Sequence, residues 1–569
     1  MGGVSDADGG IQFATKSASE TPPTGLDSGS LFPTLTHGRN MADNNHSRRL
    51  FLGCFMALVA TAFGFAVRGA VLADWGAQYN LTEEQKGIIG GVGTYPFAIS
   101  IILFSLIVDR VGYGTAMCFG FLGHLVSTLL TIFAPNFGVL YFATFLYALS
   151  NGTVEAVINP VVATIHKDNK THWLNVLHAG WPGGMALGGL LAIGVALAGD
   201  NLKLPGQLWQ WQMGVLLLPI LFYGVLLFGH RFPVQERVEA GVSFREMLAE
   251  FGWGSAYIVS FLVIMGVSQV LTVLKIKPLG VEYALLYALV PAVLFAIWIR
   301  SFGRPMFVFL MLVMFLLATT ELGTDQWIQD IMGNVLGNPT KGTLFFVYTA
   351  AIMFVLRFFA APIVHRISPL GLLAACSAIA AGGLYWLGNA GASVGMLFLA
   401  ATFYGVGKTF FWPTTLGLVS EQYPRGGALL LNAISGVGMI AVGTIGGPAI
   451  GTVQDLDFNR AVAEAAPDIH EKVAATKPGL FETYQFVDKS KFDAAGLTEP
   501  QREELAKLET TTKQHALSKI AVLPVIMCVC YLLLIGYFQF RGGYQAEVLT
   551  GHAAQDEKFT GGTLGPGEG

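Results

Sequence analysis

The stretch YALSNGTVEAVINPVVATIH, residues 147–166, lies in a hydrophobic run whose only charge between residues 136 and 165 is Glu155. A run of that length crosses a hydrocarbon core of roughly 30 Å as a helix. A charge at the centre of such a span costs roughly 2.5–3.5 kcal/mol on insertion scales, so it survives where it faces a bundle interior or a water-filled path. Asn151, Glu155 and Asn159 stand at i, i+4 and i+8, which stacks them along one helix face over about 12 Å. Amides alone would read as bonds between helices. The carboxylate in their midst points to a transport or relay site instead.

The rest of the chain has the same character. It has 569 residues, 53% hydrophobic and 12% charged, with 41 Phe, 10 Trp and 70 Gly. Apolar runs recur at about residues 50–76, 86–108, 114–133, 137–165, 173–198, 208–230, 254–274, 282–300, 305–335, 342–365, 369–389, 394–420, 427–451 and 518–540, which predicts an all-α polytopic membrane protein of fourteen spans. The net charge of -4 indicates neither a nucleic acid nor an acidic partner. Cys54, Cys118, Cys376, Cys528 and Cys530 all sit in apolar runs without ligand spacing, so no metal, cofactor or disulfide framework is expected.

Lys and Arg in short loops orient the spans. With the N-terminus inside, the inner loops carry Arg110, Lys167, Lys170, Arg231, Arg237, Arg245, Arg300, Arg304, Arg366 and Arg425, against Lys86, Lys203, Lys275, Lys277 and Lys341 outside. Both termini are therefore expected in the cytoplasm of a protein of the cell's inner membrane. Residues 1–48 and 542–569 read as disordered tails. Residues 452–517 form a polar, largely helix-prone outer segment, with Thr498 as a helix cap.

An internal repeat organises the spans. YALSNGTVEAVINPVVATIH followed by LNVLHAGWPGGMALGG (174–189) is answered by YGVGKTFFWPTTLGLVSEQYP (404–424) followed by LLNAISGVGMIAVGTIGG (430–447). Aligning Pro160 with Pro413 sets Glu155 against Lys408 and Asn159 against Trp412. Two parallel six-span halves follow, at 49–232 and 305–541, joined by a linker with two additional spans at 233–304.

This organisation resembles the major facilitator superfamily. SLIVDRVGYGT (105–115) keeps Asp109, Arg110 and Gly112 of that family's loop signature, and APIVHRISP (361–369) offers Arg366 at the corresponding place in the second half. The resemblance implies a gating loop at these four residues, alternating access, and no enzymatic activity. Glu155, Asn159, Pro160, Leu174, Asn175 and His178 are similar to the fourth and fifth helices of the fucose, galactose and glucose proton-symporter family, and Arg357 resembles its Gly-Arg on the eighth core helix. That resemblance implies a monosaccharide and a co-transported proton. Where coupled members carry an Asp in the first helix, this chain has Arg68.

The candidate solute-binding residues are then Arg68, Glu155, Asn159, Asn175, His178, Trp181, Glu321, Lys408 and Trp412, with Glu155 and Glu321 as proton carriers. Amides and carboxylates bond hydroxyls, and indole faces cover the C–H side of a sugar. His178 and Trp181 read equally as packing residues. Lys408 requires an acidic neighbour, expected to be Glu155 or Glu321, while Asp325 and Asp330 in TTELGTDQWIQD (319–330) read as solvated mouth residues. Two other readings remain open: an anion transporter using Arg68, Arg357 and Lys408, and a non-transporting sensor. No G-x-x-x-x-G-K-[ST] or H-E-x-x-H run occurs, against ATP-driven transport and zinc-hydrolase chemistry. The expected partners are a small solute, the bilayer and a proton, with the chain a monomer and no nucleic acid bound.

Overall fold

A computed structural model describes residues 36–549 apart from 80, 82–88, 90–91, 203, 274–275, 278 and 480–481. The chain divides into Met1–Asn45 and His46–Gly569, and the membrane-spanning bundle belongs to the second unit. The tails expected at 1–48 and 542–569 lie largely outside the described residues.

The first half comprises α1 (Thr36–Gln78), α2 (Tyr95–Val111), α3 (Tyr113–Ile132), α4 (Phe137–Ile165), α5 (Lys170–His178), α6 (Gly180–Leu202), α7 (Leu208–Gly214) and α8 (Leu217–Leu227). The linker holds α9 (Glu236–Glu239), α10 (Phe244–Val273) and α11 (Val281–Ile299). The second half runs through α12 (Pro305–Ala318), α13 (Thr324–Val335), α14 (Pro339–Arg357), α15 (Ala360–Asn389), α16 (Val394–Lys408), α17 (Phe411–Gln422), α18 (Gly427–Ala441) and α19 (Gly447–Ala465). After α20 (Pro467–Val473) and an antiparallel hairpin of β1 (Ala474–Pro478) and β2 (Thr483–Val487), α21 (Glu499–Ile520) and α22 (Val522–Phe540) complete it.

Among the described residues, twelve helices are long and apolar enough to cross a membrane. The other two expected spans are also helical, in α2, which has 17 residues, and in α14. One continuous apolar core runs through both halves. Leu286, Val290, Leu294, Ile297 and Trp298 on α11 are exposed, as a face toward lipid requires.

The inserted pair α10–α11 closes at its base by backbone bonds from Trp253 N to Ser301 O (3.0 Å) and Gly254 N to Phe302 O (3.1 Å). The approach demands glycine: a Cβ on Gly252 would lie 2.0 Å from Gly303 N, and both residues have positive φ.

The outer segment differs from its helix-prone reading by including the hairpin. Val473 at the end of α20 and Val487 at the end of β2 bury themselves with Phe458, Val462, Leu497 and Leu505 in a small second core. Pro500 in the first turn of α21 and Gln501, whose side chain accepts from the Thr498 backbone N–H at 2.9 Å, start that helix as the sequence predicts.

The ends of the halves near Asp109 are tied together through the linker. Arg237, fully buried, donates to Asp109 at 2.5 and 3.2 Å. Lys170 pairs with Glu236 at 2.5 Å, and Arg425 with Glu246 at 2.7 Å. Directly between the halves, the Thr171 hydroxyl donates to Glu421 at 2.5 Å, and a Cβ on Gly417 would lie 2.2 Å from that hydroxyl. Gly112 of the loop signature has φ +88, open to glycine, while Arg110 and Arg366 are exposed.

Candidate functional site

Three prolines prepare the centre of the bundle. In an α-helix the carbonyl of residue i accepts from the N–H of i+4, and proline has no N–H to give. Pro160, Pro182 and Pro413 therefore leave the carbonyls of Ala156, His178 and Thr409 without their usual helical donor. Each of these carbonyls takes a side chain. Asn432 Nδ2 donates to Ala156 O at 3.0 Å. Arg357 Nη1 donates to His178 O at 2.5 Å, and its Nε to Thr409 O at 2.7 Å. Two of the three bonds cross between the halves. The third fixes α14 to the α16–α17 junction.

The asparagines follow the repeat. Asn175 of α5 donates to Thr414, next to Pro413, at 3.1 Å. Its repeat-mate Asn432 reaches the turn before Pro160, where Asn159 Nδ2 also lies 3.5 Å from Asn432 Oδ1. His178 Nε2 stands 3.0 Å from Asn159 Oδ1, an acceptor, so that nitrogen carries the proton.

The ionisable groups are almost sealed from solvent: Glu155 and Glu321 are 3% exposed, Arg357 2% and Lys408 0%. The third guanidinium nitrogen of Arg357 donates to Glu321 at 3.1 Å. Lys408 pairs with Asp325 and lies 4.9 Å from the Tyr404 ring centroid. This corrects the expectation of Glu155 or Glu321 as its partner. Asp325 stands four residues after Glu321, on the same helix face, just past a π-helical turn at Thr319–Gly323, and it is largely buried against Lys408 rather than solvated at the mouth. Asp330, further along, is exposed and pairs with Lys513 at 2.9 Å, as a mouth residue should.

At the centre is a cavity of about 20 Å³ bounded by Glu155, His178, Trp181, Glu321, Leu322, Arg357, Trp412 and Met439. Glu155 Oε2 and Glu321 Oε2 are buried there without a partner. A void of this size admits a water molecule and nothing larger. The cavity thus assembles five of the nine candidates: Glu155, His178, Trp181, Glu321 and Trp412.

Asn159 supports it from behind through His178, whereas Asn175 and Lys408 are occupied elsewhere. Arg68 stands apart from the cavity lining. Its guanidinium donates to Thr144 (2.9 Å) and Thr131 (3.4 Å) and lies over the Tyr147 ring at 4.4 Å, with no acidic partner among the described residues. Asn151 bonds His124 of α3 at 2.8 Å, as an amide between helices. Sequence reasoning passes over Asn432 and Met439, though the aligned Leu-Asn pairs of the repeat carry the signal for Asn432.

No curated protein sequence matches this chain. Among solved structures it is similar to the proton:xylose symporter XylE bound to 6-bromo-6-deoxy-D-glucose (13% identity, TM-score 0.54, 86% of this chain and 96% of that one). It is similar also to the human organic anion transporter MFSD10 (13%, 0.53, 85% and 99%) and to the transporter FucP in its outward conformation (13%, 0.50, 84% and 98%). Identities this low speak to the fold alone. A sequence model of the Major Facilitator Superfamily matches residues 53–449, through both copies of the repeat, and the chain, two helical halves closed around a charged cavity, belongs to that superfamily.

Proposed function

We propose that this transporter moves a small polyhydroxylated solute, a monosaccharide in the first instance, by alternating access of the halves 49–232 and 305–541, with both termini cytoplasmic. The observation that carries this reading is the pair of buried, unpartnered oxygens, Glu155 Oε2 and Glu321 Oε2, in a cavity that Trp181 and Trp412 also line. Both are acceptors, so the solute must bring donors, and sugar hydroxyls do so while their C–H faces lie on the rings. An anion fits poorly. Arg357 and Lys408 each already hold a carboxylate, and Arg68 is outside the cavity lining.

The small void supports a collapsed stage of the cycle, in which the halves must part before solute enters. Glu155, without an ion-pair partner among the described residues, is the proposed proton carrier. Glu321 would act through Arg357, whose bond to the freed His178 carbonyl exists only while the halves are together. Asp109, Arg110, Gly112 and Arg366 would serve the cytoplasmic gate.

The test is uptake into proteoliposomes over a panel of monosaccharides, uronic acids and small peptides, with and without a pH gradient. Accumulation of a sugar driven by the gradient, and its loss in Glu155→Gln with exchange retained, is the expected result. Uptake of uronic acids in preference to neutral sugars would overturn the assignment.

A further inference from the structure

A second cavity lies away from the transport path, on the outside of the first half. It is a groove of about 420 Å³ between α3 and α8, walled by Met117, Phe121, Leu221, Val225 and Phe228 and floored at Gly114 and Gly224. The glycines make the space: a Cβ on Gly224 would lie 2.4 Å from the Phe121 ring, and one on Gly114 would meet only Phe232, at 3.5 Å. The walls are apolar, and Leu221, Val225 and Phe228 are largely exposed toward the surrounding lipid.

One end of the groove is different in kind. His230 lines it, and its Nδ1 lies 2.9 Å from Nδ1 of His46 in a stacked pair. His46 Nε2 stands 3.0 Å from Arg231 O. Arg49 rests its guanidinium on the carbonyls of Leu226 (3.2 Å) and Val225 (3.3 Å) at the end of α8. Arg48, Arg49 and Arg231 are exposed, and none has an ion-pair partner among the described residues. One hydrogen is shared between the two facing Nδ1 atoms.

An apolar trough open to the bilayer and ending beside two histidines, Arg49 and Arg231 has the charge complement of one molecule class. We propose that it binds a phospholipid with an anionic headgroup, an acyl chain lying in the groove and the phosphate against Arg49, Arg231 and the His46–His230 pair. The site uses none of the residues of the central cavity. It would hold α3 and α8 to the membrane while the inner helices move.

The experiment is native mass spectrometry of the full chain in neutral detergent, titrated with phosphatidylglycerol, with phosphatidylcholine of the same chains, and with inorganic phosphate. Phosphatidylglycerol should be retained about tenfold better than phosphatidylcholine. Arg49→Gln with Arg231→Gln should abolish that preference, and Gly114→Leu, which fills the trough without meeting backbone, should lower retention of both lipids. Equal retention of the two lipids, an unchanged preference in the arginine variant, or phosphate alone competing as well as the lipid would each overturn the proposal.

Discussion

Arg357 offers the sharpest test of how the centre is built, because two of its three bonds go to carbonyls that prolines have released. Arg357→Met strands Glu321 and the carbonyls of His178 and Thr409 in a site where Arg357 is 2% exposed. Breaking a buried pair by removing one partner costs about 3–5 kcal/mol. Pro182→Ala then discriminates. In the Arg357→Met background the restored N–H at position 182 gives the His178 carbonyl a helical donor, and a net hydrogen bond contributes about 1 kcal/mol. With Arg357 present, the same N–H competes for a carbonyl that already accepts from the guanidinium at 2.5 Å, so Pro182→Ala should be neutral or destabilising. The two single changes and the double change form a cycle, read by tryptophan fluorescence during unfolding in mixed detergent, with an expected coupling of about 1 kcal/mol or more. If Pro182→Ala shifts stability by the same amount and sign in both backgrounds, the freed carbonyl is not what Arg357 recognises.

Three further outcomes are expected. Arg237→Ala leaves Asp109 buried without its cation; loss of about 3 kcal/mol from a closed inner end raises the open fraction by about two powers of ten, measured as faster alkylation of a Ser420→Cys probe in a background free of native cysteines, and an unchanged rate refutes the latch. His166 lies between two spans, and burial with the neighbouring His172 pushes its imidazole down to about 4. A depressed histidine contributes its stability fully above the unfolded value of about 6.5 and loses it as pH falls toward 4, so the melting temperature should drop over that window and drop less in His166→Phe, which keeps an aromatic ring for Trp173; parallel curves would dismiss the role. Lys513→Ala removes ion pairs to Asp330 (2.9 Å) and Glu509 (3.0 Å) at the outer surface and should change stability by less than about 1 kcal/mol with uptake intact; a collapse of transport would give this corner a function the geometry does not suggest.

The fourteen spans and the paired halves are legible in the sequence because a membrane imposes its thickness on hydropathy and the repeat preserves its prolines. The polar stripe on α4 is legible only in part. A step of four residues overshoots a full turn by about 40°, so Asn151 and Asn159 stand about 80° apart, one facing His124 and the other His178. Charge pairing is less legible still. Helical counting puts Asp325 on the Glu321 face, but its place near the end of the span suggests a solvated mouth, and only the structure shows that it turns to Lys408. Arg68 shows the converse. By position alone its charge reads as a cavity residue, yet hydroxyls of Thr131 and Thr144 and the face of Tyr147 hold its guanidinium inside one half.

The π-turn at Thr319–Gly323 is matched by another at Val442–Gly446, and the two lie side by side, where a Cβ on Gly446 would come 2.4 Å from Thr319 Oγ1. Among the described residues no π-turn falls in the first half. The repeats are thus built unequally: among the described residues the second alone carries a knuckle, formed by two helices at the depth of Glu321. On the proposed transport cycle, straightening that knuckle would swing one end of the second half without moving the first, and would enclose the solute by a bend before either half rotates.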